Sequence, residues 1–453
     1  MHQYKVIDIE AFLNEHPLSW FQRMLFVLCF MIVLLDGFDT ADIGFIAPSL
    51  IREWGVTRPA LGPVLTAALF GLAAGALISG PLADRFGRKS VLVGSVFAFG
   101  IASLASASSA SLDQLTIFRF ITGVGLGAAM PNAVTLTSEF CPERRRAIVT
   151  NAMFCGFPLG AALGGFLAAW MIPQFGWRSV LLLGGVAPIV LAAVIAFALP
   201  ESVRYLVVSG KSAERIRAAL RRISSAVGNT QSFVMTEKSS TAAQSGIGIV
   251  LSRSYVVGSV MLWLAYFMGL VIFYALINWM PLLFKEVGLD AQTATLIAAL
   301  FPLGGFGAIV LGWLMDRFNG NRMIALGYAL TAASIYAIGL TAASSVGRLM
   351  LLVFIAGVMM NAAQVSMPAL AAAFYPTRGR ATGVAWMLGI GRFGGIAGSF
   401  LVAELSRRSL SFGAIFTVVA IPGVLAAVAL SIKQLAEPAL ESYVPAESAP
   451  RTP

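Results

Sequence analysis

Of the 453 residues, 58% are hydrophobic, only 11% are charged and 45 are glycine. A water-soluble protein of this length has no interior large enough for so much apolar surface, so the chain reads as an integral membrane protein. The net charge of +10 is spread along the chain instead of clustering on a soluble face, which excludes a nucleic-acid partner.

Apolar runs long enough to cross ~30 Å of hydrocarbon, for which ~20 residues are needed, fall near 24–50, 60–82, 90–110, 115–137, 148–172, 179–199, 255–283, 291–315, 323–343, 347–373, 381–402 and 412–433. The expectation is an all-α membrane protein of twelve helices in two six-helix sets. The boundaries are 1–199 for the first bundle with a short tail, 200–254 for a polar linker, 255–435 for the second bundle and 436–453 for a disordered tail. With both termini placed in the cytoplasm, 22 basic residues fall on that side and 7 on the other, as the positive-inside rule asks. No short apolar region with a small-residue cleavage site opens the chain, so helix one is expected to be retained and not to be a signal peptide. Within the linker, KSAERIRAALRRIS reads as a short basic surface helix and SSAVGNTQSFVMTEKSSTAAQSG as a mobile polar stretch.

Helix one carries LLDGFDTADIGF at 34–45, with Asp36, Asp39 and Asp42 inside an apolar run. An ionised Asp at the centre of a membrane helix costs roughly 3 kcal/mol, so acids there are functional candidates. Asp36 and Asp39 are one turn apart on one helix face. Both histidines, His2 and His16, lie in the N-terminal tail, which leaves proton carriage within the membrane to carboxylates. Asp36 and Asp39 are therefore assigned to proton coupling, the alternative being a structural pairing with Arg119. Asp42, nearer the outer end, is expected to meet water and is given no function.

GPLADRFGRK at 80–89 is echoed by GWLMDRFNGNR at 312–322, pairing Asp84 with Asp316 and Arg85 with Arg317. At an offset of 234 residues FCPERRRA matches FYPTRGRA, and Gly160 and Gly164 fall on Gly394 and Gly398. Two like halves in the same orientation imply a binding site at their interface and transport by rocking one half against the other. Asp84, Arg85 and Arg88, with Asp316 and Arg317, read as charged gating clamps at equivalent ends. In the second copy Asn319 and Gly320 replace Gly87 and Arg88, so the clamps need not be equal.

The loop GPLADRFGRK and the run RFITGVGLGAAMPN at 119–132 resemble the signature loop and helix-four motif of the major facilitator superfamily. Within it, the Asp-Gly-x-Asp of helix one and RATGVAWMLGIGRFGG near the end resemble the aromatic acid:proton symporters, over essentially the whole chain. The resemblance implies that Glu139, at the end of helix four, joins Asp36 and Asp39, and that both Arg380 and Arg392 are needed. Glu139 reads either as a relay acid or as part of a salt-bridge cluster with Arg144 to Arg146. Arg119, on the same helix, can pair with Asp36 or Asp39.

Arg392 lies about 18 Å into helix eleven counted from Arg380, near mid-membrane. A guanidinium grips a carboxylate through two parallel hydrogen bonds, and the C-terminal half has no intramembrane acid besides Glu404 near the outer end. Arg392 is thus assigned to a substrate anion, the alternative being an acid of the other half. Arg380, at the cytoplasmic edge, is grouped with the gate. Tyr274 and Asn278 of helix seven are candidate substrate contacts, and Tyr266, Trp386, Asn361 and Gln364 either line the site or join helices. The GIGRFG run at 389–394 lacks a preceding strand, so it and Gly123, Gly125 and Gly127 read as close helix packing instead of nucleotide binding.

These residues point to a monomeric inner-membrane symporter that imports a small aromatic carboxylate with a proton, without cofactor or metal and without enzymatic activity. An exchanger or exporter of another organic acid, or a transporter-derived sensor, are the alternatives.

Overall fold

The computed structural model describes residues 6–227, 230, 232–234, 246–341, 345–375 and 377–435. The side chains of Asp84, Asp316 and Arg380, and that of Arg144, lie outside the described part, as does much of the stretch expected to be a mobile linker.

Besides shorter helices, the described residues form twelve bundle helices, two of them in two pieces, in chain order: α1 (Trp20–Trp54), α2 (Gly62–Phe86), α3 (Arg88–Ala107), α4 (Leu112–Glu139), α5 (Glu143–Phe154 and Gly156–Phe175) and α6 (Arg178–Ala198). The second set is α7 (Val256–Glu286), α8 (Ala291–Leu303 and Gly307–Arg317), α9 (Gly320–Thr341), α10 (Val346–Phe374), α11 (Thr377–Arg407) and α12 (Phe412–Leu435). Among the described residues, eleven helices are long and apolar enough to cross a membrane, and α8 is a shorter apolar helix interrupted by the 3-10 turn Gly304–Phe306 after Pro302. Local chemistry sets the ends. Ser19 and Gln22 close a reciprocal capping box on α1, Ser111 and Asp290 accept from the third residues of α4 and α8, and Gly55 ends α1 at φ 62°.

The two halves pack by one plan. In the first, α1 packs on α5 and α6, α2 on α4, and α3 on α4 and α6; in the second, α7 packs on α11 and α12, α8 on α10, and α9 on α10 and α12. The repeat extends to single atoms. A Cβ on Gly123 would stand 2.0 Å from the Ala68 carbonyl oxygen, and one on its counterpart Gly357 would stand 2.1 Å from that of Phe301. Gly160 likewise meets the Leu34 carbonyl of α1, and its counterpart Gly394 the Phe267 carbonyl of α7. Glycine at these sites lets backbones touch, which is how helices gain contact energy where lipid removes the hydrophobic drive. The halves meet along α1 with α7, α2 with α11, and α5 with α8.

Beside the start of α1, two short strands bring the stretch before it and part of the linker together. Strand β1 (Val6–Asp8) pairs in parallel with β2 (Ser232–Val234), in the register Ile7 to Phe233. Asp8 then caps the short helix Ile9–Glu15, and Ile9, Phe12 and Leu13 are buried in one cluster with Ile216 and Leu220 of the linker helix Ala213–Arg221. The expectation of a mobile stretch is therefore corrected at 232–234, because Phe233 has an apolar cluster to join.

Gly123→Val should lower stability by about 1–3 kcal/mol through overpacking, whereas Gly94→Val, with no neighbour within 4 Å, should not; melting of the purified protein in detergent measures both.

Candidate functional site

Three acids of α1 face the bundle interior: Asp36 is 3% exposed, and Asp39 and Asp42 are fully buried. Gly37 and Gly44 make room for them, since α1 approaches the Phe157 and Ile277 carbonyls closely at those points. Arg119 of α4, also fully buried, donates through Nη1 and Nη2 to the two carboxylate oxygens of Asp39 at 2.9 Å each, and through Nη2 to the Asp39 carbonyl at 2.7 Å. Of the two partners left open by the sequence, the geometry selects Asp39. The pair is bidentate and dry, the form in which a guanidinium and a carboxylate best offset their lost hydration.

Asp42 departs from its expected place in water. The helix turns it inward, 3.5 Å from Arg119 Nη2, and Gly184 of α6 and Ser103 of α3 close over it.

Asp36 lies one turn before Asp39 on the same helix. Its neighbours are Asp39, the charge of Arg392 from the other half, and Thr40, one turn on. Arg392, half-buried on α11, crosses the interface and donates to the Leu72 carbonyl of α2 at 3.2 Å. Tyr274 lies in the field of both Asp36 and Arg392. A small void beside them is lined by Thr40, Leu69, Leu72, Arg119, Tyr274 and Asn278 and holds about 10 Å³ of space. That is room for one water at most, so any aromatic ligand needs the halves to part here.

Asn278 donates to Ser399 Oγ at 2.6 Å while its own Oδ1, buried at the void, has no hydrogen-bond partner among the described residues. Asn361 instead joins helices, donating to the Phe301 and Gly357 carbonyls. Gln364 does the same between Tyr328 and the Tyr266 carbonyl, and Trp386 packs on Trp263 at 5.7 Å between ring centroids.

Glu139 is not in a cluster with Arg146, which pairs with Glu10 at 3.8 Å. It takes a short hydrogen bond from Ser202 and lies 4.0 Å from Arg88. Beside it, Glu201 accepts from the Lys89 backbone and Tyr205 donates to the Arg85 carbonyl, so the 85–89 loop is held by the segment after α6 in its own half. Arg317 is exposed at the matching end of α8.

Sequence reasoning missed the closure of the opposite end. Arg58 forms an ion pair with Glu286 and donates to Ser406, and Lys285 Nζ reaches the Pro48 carbonyl at 3.5 Å, all across the two halves. These are loop-end residues far apart in sequence, with no motif to join them.

A membrane bundle of two like halves, with charges buried where the halves meet and polar ties across one end, is the architecture of a secondary transporter. The chain belongs to the Major Facilitator Superfamily, whose model matches residues 28–344 and 262–452. It is a multi-pass membrane transporter. It is 50% identical over 434 residues to the 4-hydroxybenzoate transporter PcaK of Pseudomonas aeruginosa, covering 95% of this chain and 96% of the relative. It is 44% identical over 425 residues to a gallate transporter of Pseudomonas putida, covering 94% of each, and 31% identical over 427 residues to a benzoate transport protein of Acinetobacter baylyi, covering 92% and 91%. The inward open xylose transporter XylE from E. coli shares the fold at a TM-score of 0.70 and 20% identity, over 90% of this chain and 95% of that one.

Arg119→Met should destabilise the protein by about 3–5 kcal/mol, because it strands buried carboxylates, and the double variant Asp39→Asn with Arg119→Gln should recover most of the loss in a thermal melt. In a variant lacking the three native cysteines, Glu286→Gln should speed labelling of Ser406→Cys by a membrane-impermeant thiol reagent, since a tie at the closed end is lost.

Proposed function

We propose that this chain is a proton-coupled symporter that brings an aromatic carboxylate of the benzoate or hydroxybenzoate class into the cell. It works as a monomer in the inner membrane with both termini cytoplasmic. The names of the relatives support the substrate class, and the basic-residue bias supports the orientation. In that orientation the structure is the state closed to the outside.

The observation that carries the mechanism is Arg392, which reaches from the C-terminal half to Leu72 and the vicinity of Asp36 in the N-terminal half. Asp36 and a substrate carboxylate are alternative counter-ions for one guanidinium. A proton taken up from the outside neutralises Asp36 and frees Arg392, and the substrate carboxylate then replaces the lost negative charge. Proton and monocarboxylate together bring in no net charge, so the filled centre crosses a low-dielectric interface at little electrostatic cost. Tyr274 and Asn278 then present a ring face and a free amide oxygen to the aromatic part of the ligand. The proton reaches Asp36 by way of Asp39, whose pairing with Arg119 is the second buried charge pair, and Glu139, Arg88 and the 85–89 loop act at the cytoplasmic end, with Asp84, Asp316, Arg317 and Arg380 in the gate. Residues 200–254 link the two bundles.

The test is uptake of radiolabelled 4-hydroxybenzoate, gallate and benzoate by proteoliposomes under an imposed inward proton gradient. The expected result is accumulation that an uncoupler collapses. Arg392→Lys should lose about tenfold or more in rate at low substrate, the worth of one charge-assisted hydrogen bond of the bidentate grip, and Asp36→Asn should equilibrate substrate without concentrating it. Uptake indifferent to the gradient, or driven only by an organic acid loaded on the other side, refutes symport in favour of exchange.

A further inference from the structure

Asp42 is the buried acid of α1 that the mechanism above leaves unused. It is fully buried, and neither carboxylate oxygen has a hydrogen-bond partner among the described residues. Its Oδ1 lies 3.5 Å from Arg119 Nη2, the same nitrogen that donates to Asp39 Oδ2 at 2.9 Å. One guanidinium nitrogen thus stands between two carboxylates, committed to one and a small displacement from the other.

The surroundings isolate this trio. The buried stretches of α2, α3, α5 and α6 carry no titratable side chain. What α3 and α6 turn towards Asp42 is Ser103, whose hydroxyl donates to the Leu181 carbonyl, and Gly184. From α7, Tyr274 answers to Asp36 and Arg392. The charges facing Asp42 are Arg119 of α4 and Asp39 of its own helix.

We propose that Asp42 is a positioning residue for proton movement at Asp39: when Asp39 takes a proton, the Arg119 guanidinium passes to Asp42. The inference rests on the proton-coupled reading. The proton adds to Asp39 Oδ2, the Nη2–H···Oδ2 bond breaks, and an Nη2–H···Oδ1 bond to Asp42 forms. Deprotonation reverses the exchange, and no other bond changes. Without Asp42, protonating Asp39 leaves the guanidinium hydrogen-bonded to Asp39 through Nη1 and to its carbonyl through Nη2 but with no anionic partner in a dry interior, the arrangement such sites avoid most strongly. With it, two adjacent carboxylates compete for one cation, and giving one of them a proton also removes their mutual repulsion.

The experiment measures initial uptake rate against pH in proteoliposomes of the full chain, at saturating substrate, for wild type, Asp42→Asn and Asp42→Glu. Asp42→Asn should move the rate midpoint to more acid pH by about one unit, a tenfold rise in the proton concentration required, while KM for substrate stays within about twofold, since Arg392 is untouched. Asp42→Glu, which keeps a carboxylate within reach, should restore the wild-type midpoint. If the Asn variant does not reach the membrane, Asp42→Ser replaces it, with the same shift expected. A gradient-driven wild type with an unmoved profile in Asp42→Asn or Asp42→Ser overturns the role of Asp42 and leaves symport standing. A wild type indifferent to the gradient overturns symport and this inference together.

Discussion

A positive charge and its negative partner, sealed from water between two helices, is the interaction on which the rest of the site depends. Arg119 and Asp39 have no exposed surface, so their lost hydration is offset by each other, by Asp42 at 3.5 Å from the guanidinium and by geometry. Geometry in turn depends on how near the helices come. Gly123 and Gly127 let α4 approach the Ala68 and Leu72 carbonyls, and Gly37 and Gly160 let α1 and α5 do the same. The glycine content is therefore a condition of the electrostatics as well as of the packing. The guanidinium reaches both oxygens of Asp39 because the backbones that carry the two residues are held without slack.

The internal repeat is symmetric in packing and asymmetric in charge. At the offset of 234 residues Asp39 corresponds to Phe273, Arg119 to Val353, and Arg392 to Pro158. At these positions the N-terminal half has the acid and Arg119 and the C-terminal half Arg392, with apolar or cyclic residues at the matching places. A site made this way cannot be completed by either half alone. Arg392 finds acidic company only when the halves are together, and the proposed mechanism uses that dependence to couple protonation in one to ligand in the other.

Spans, half-repeat and the pairing of α1 with α4 charges were legible because each is written in a local or periodic signal: apolar length, the 234-residue echo, and an acid–base pair inside hydrophobic runs. Three features were not. Asp42 looked like an outer-end residue because its depth was judged along the helix, whereas its burial is set by the direction it faces and by Gly184 opposite. The partners of Glu139 are Arg88 and Ser202, distant in sequence and brought to it by the fold, so spacing alone leaves its role open between a relay acid and a partner of Arg144 to Arg146. The ties of Arg58 to Glu286 and Ser406 join loop ends from both halves, and no spacing rule connects such positions.

The short pairing of β1 with β2 has a consequence for where the polypeptide divides. A linker counted by length alone begins at the end of α6, but Ser232–Val234 is hydrogen-bonded to the first strand and the helix Ala213–Arg221 is packed against the helix that follows that strand. The first structural unit therefore continues through Val234. A gene split for co-expression of two fragments keeps that unit whole if the break falls between 235 and 245. A break at residue 200 would leave β1 without its mate and strand the apolar faces of Ile216 and Leu220 on the wrong fragment.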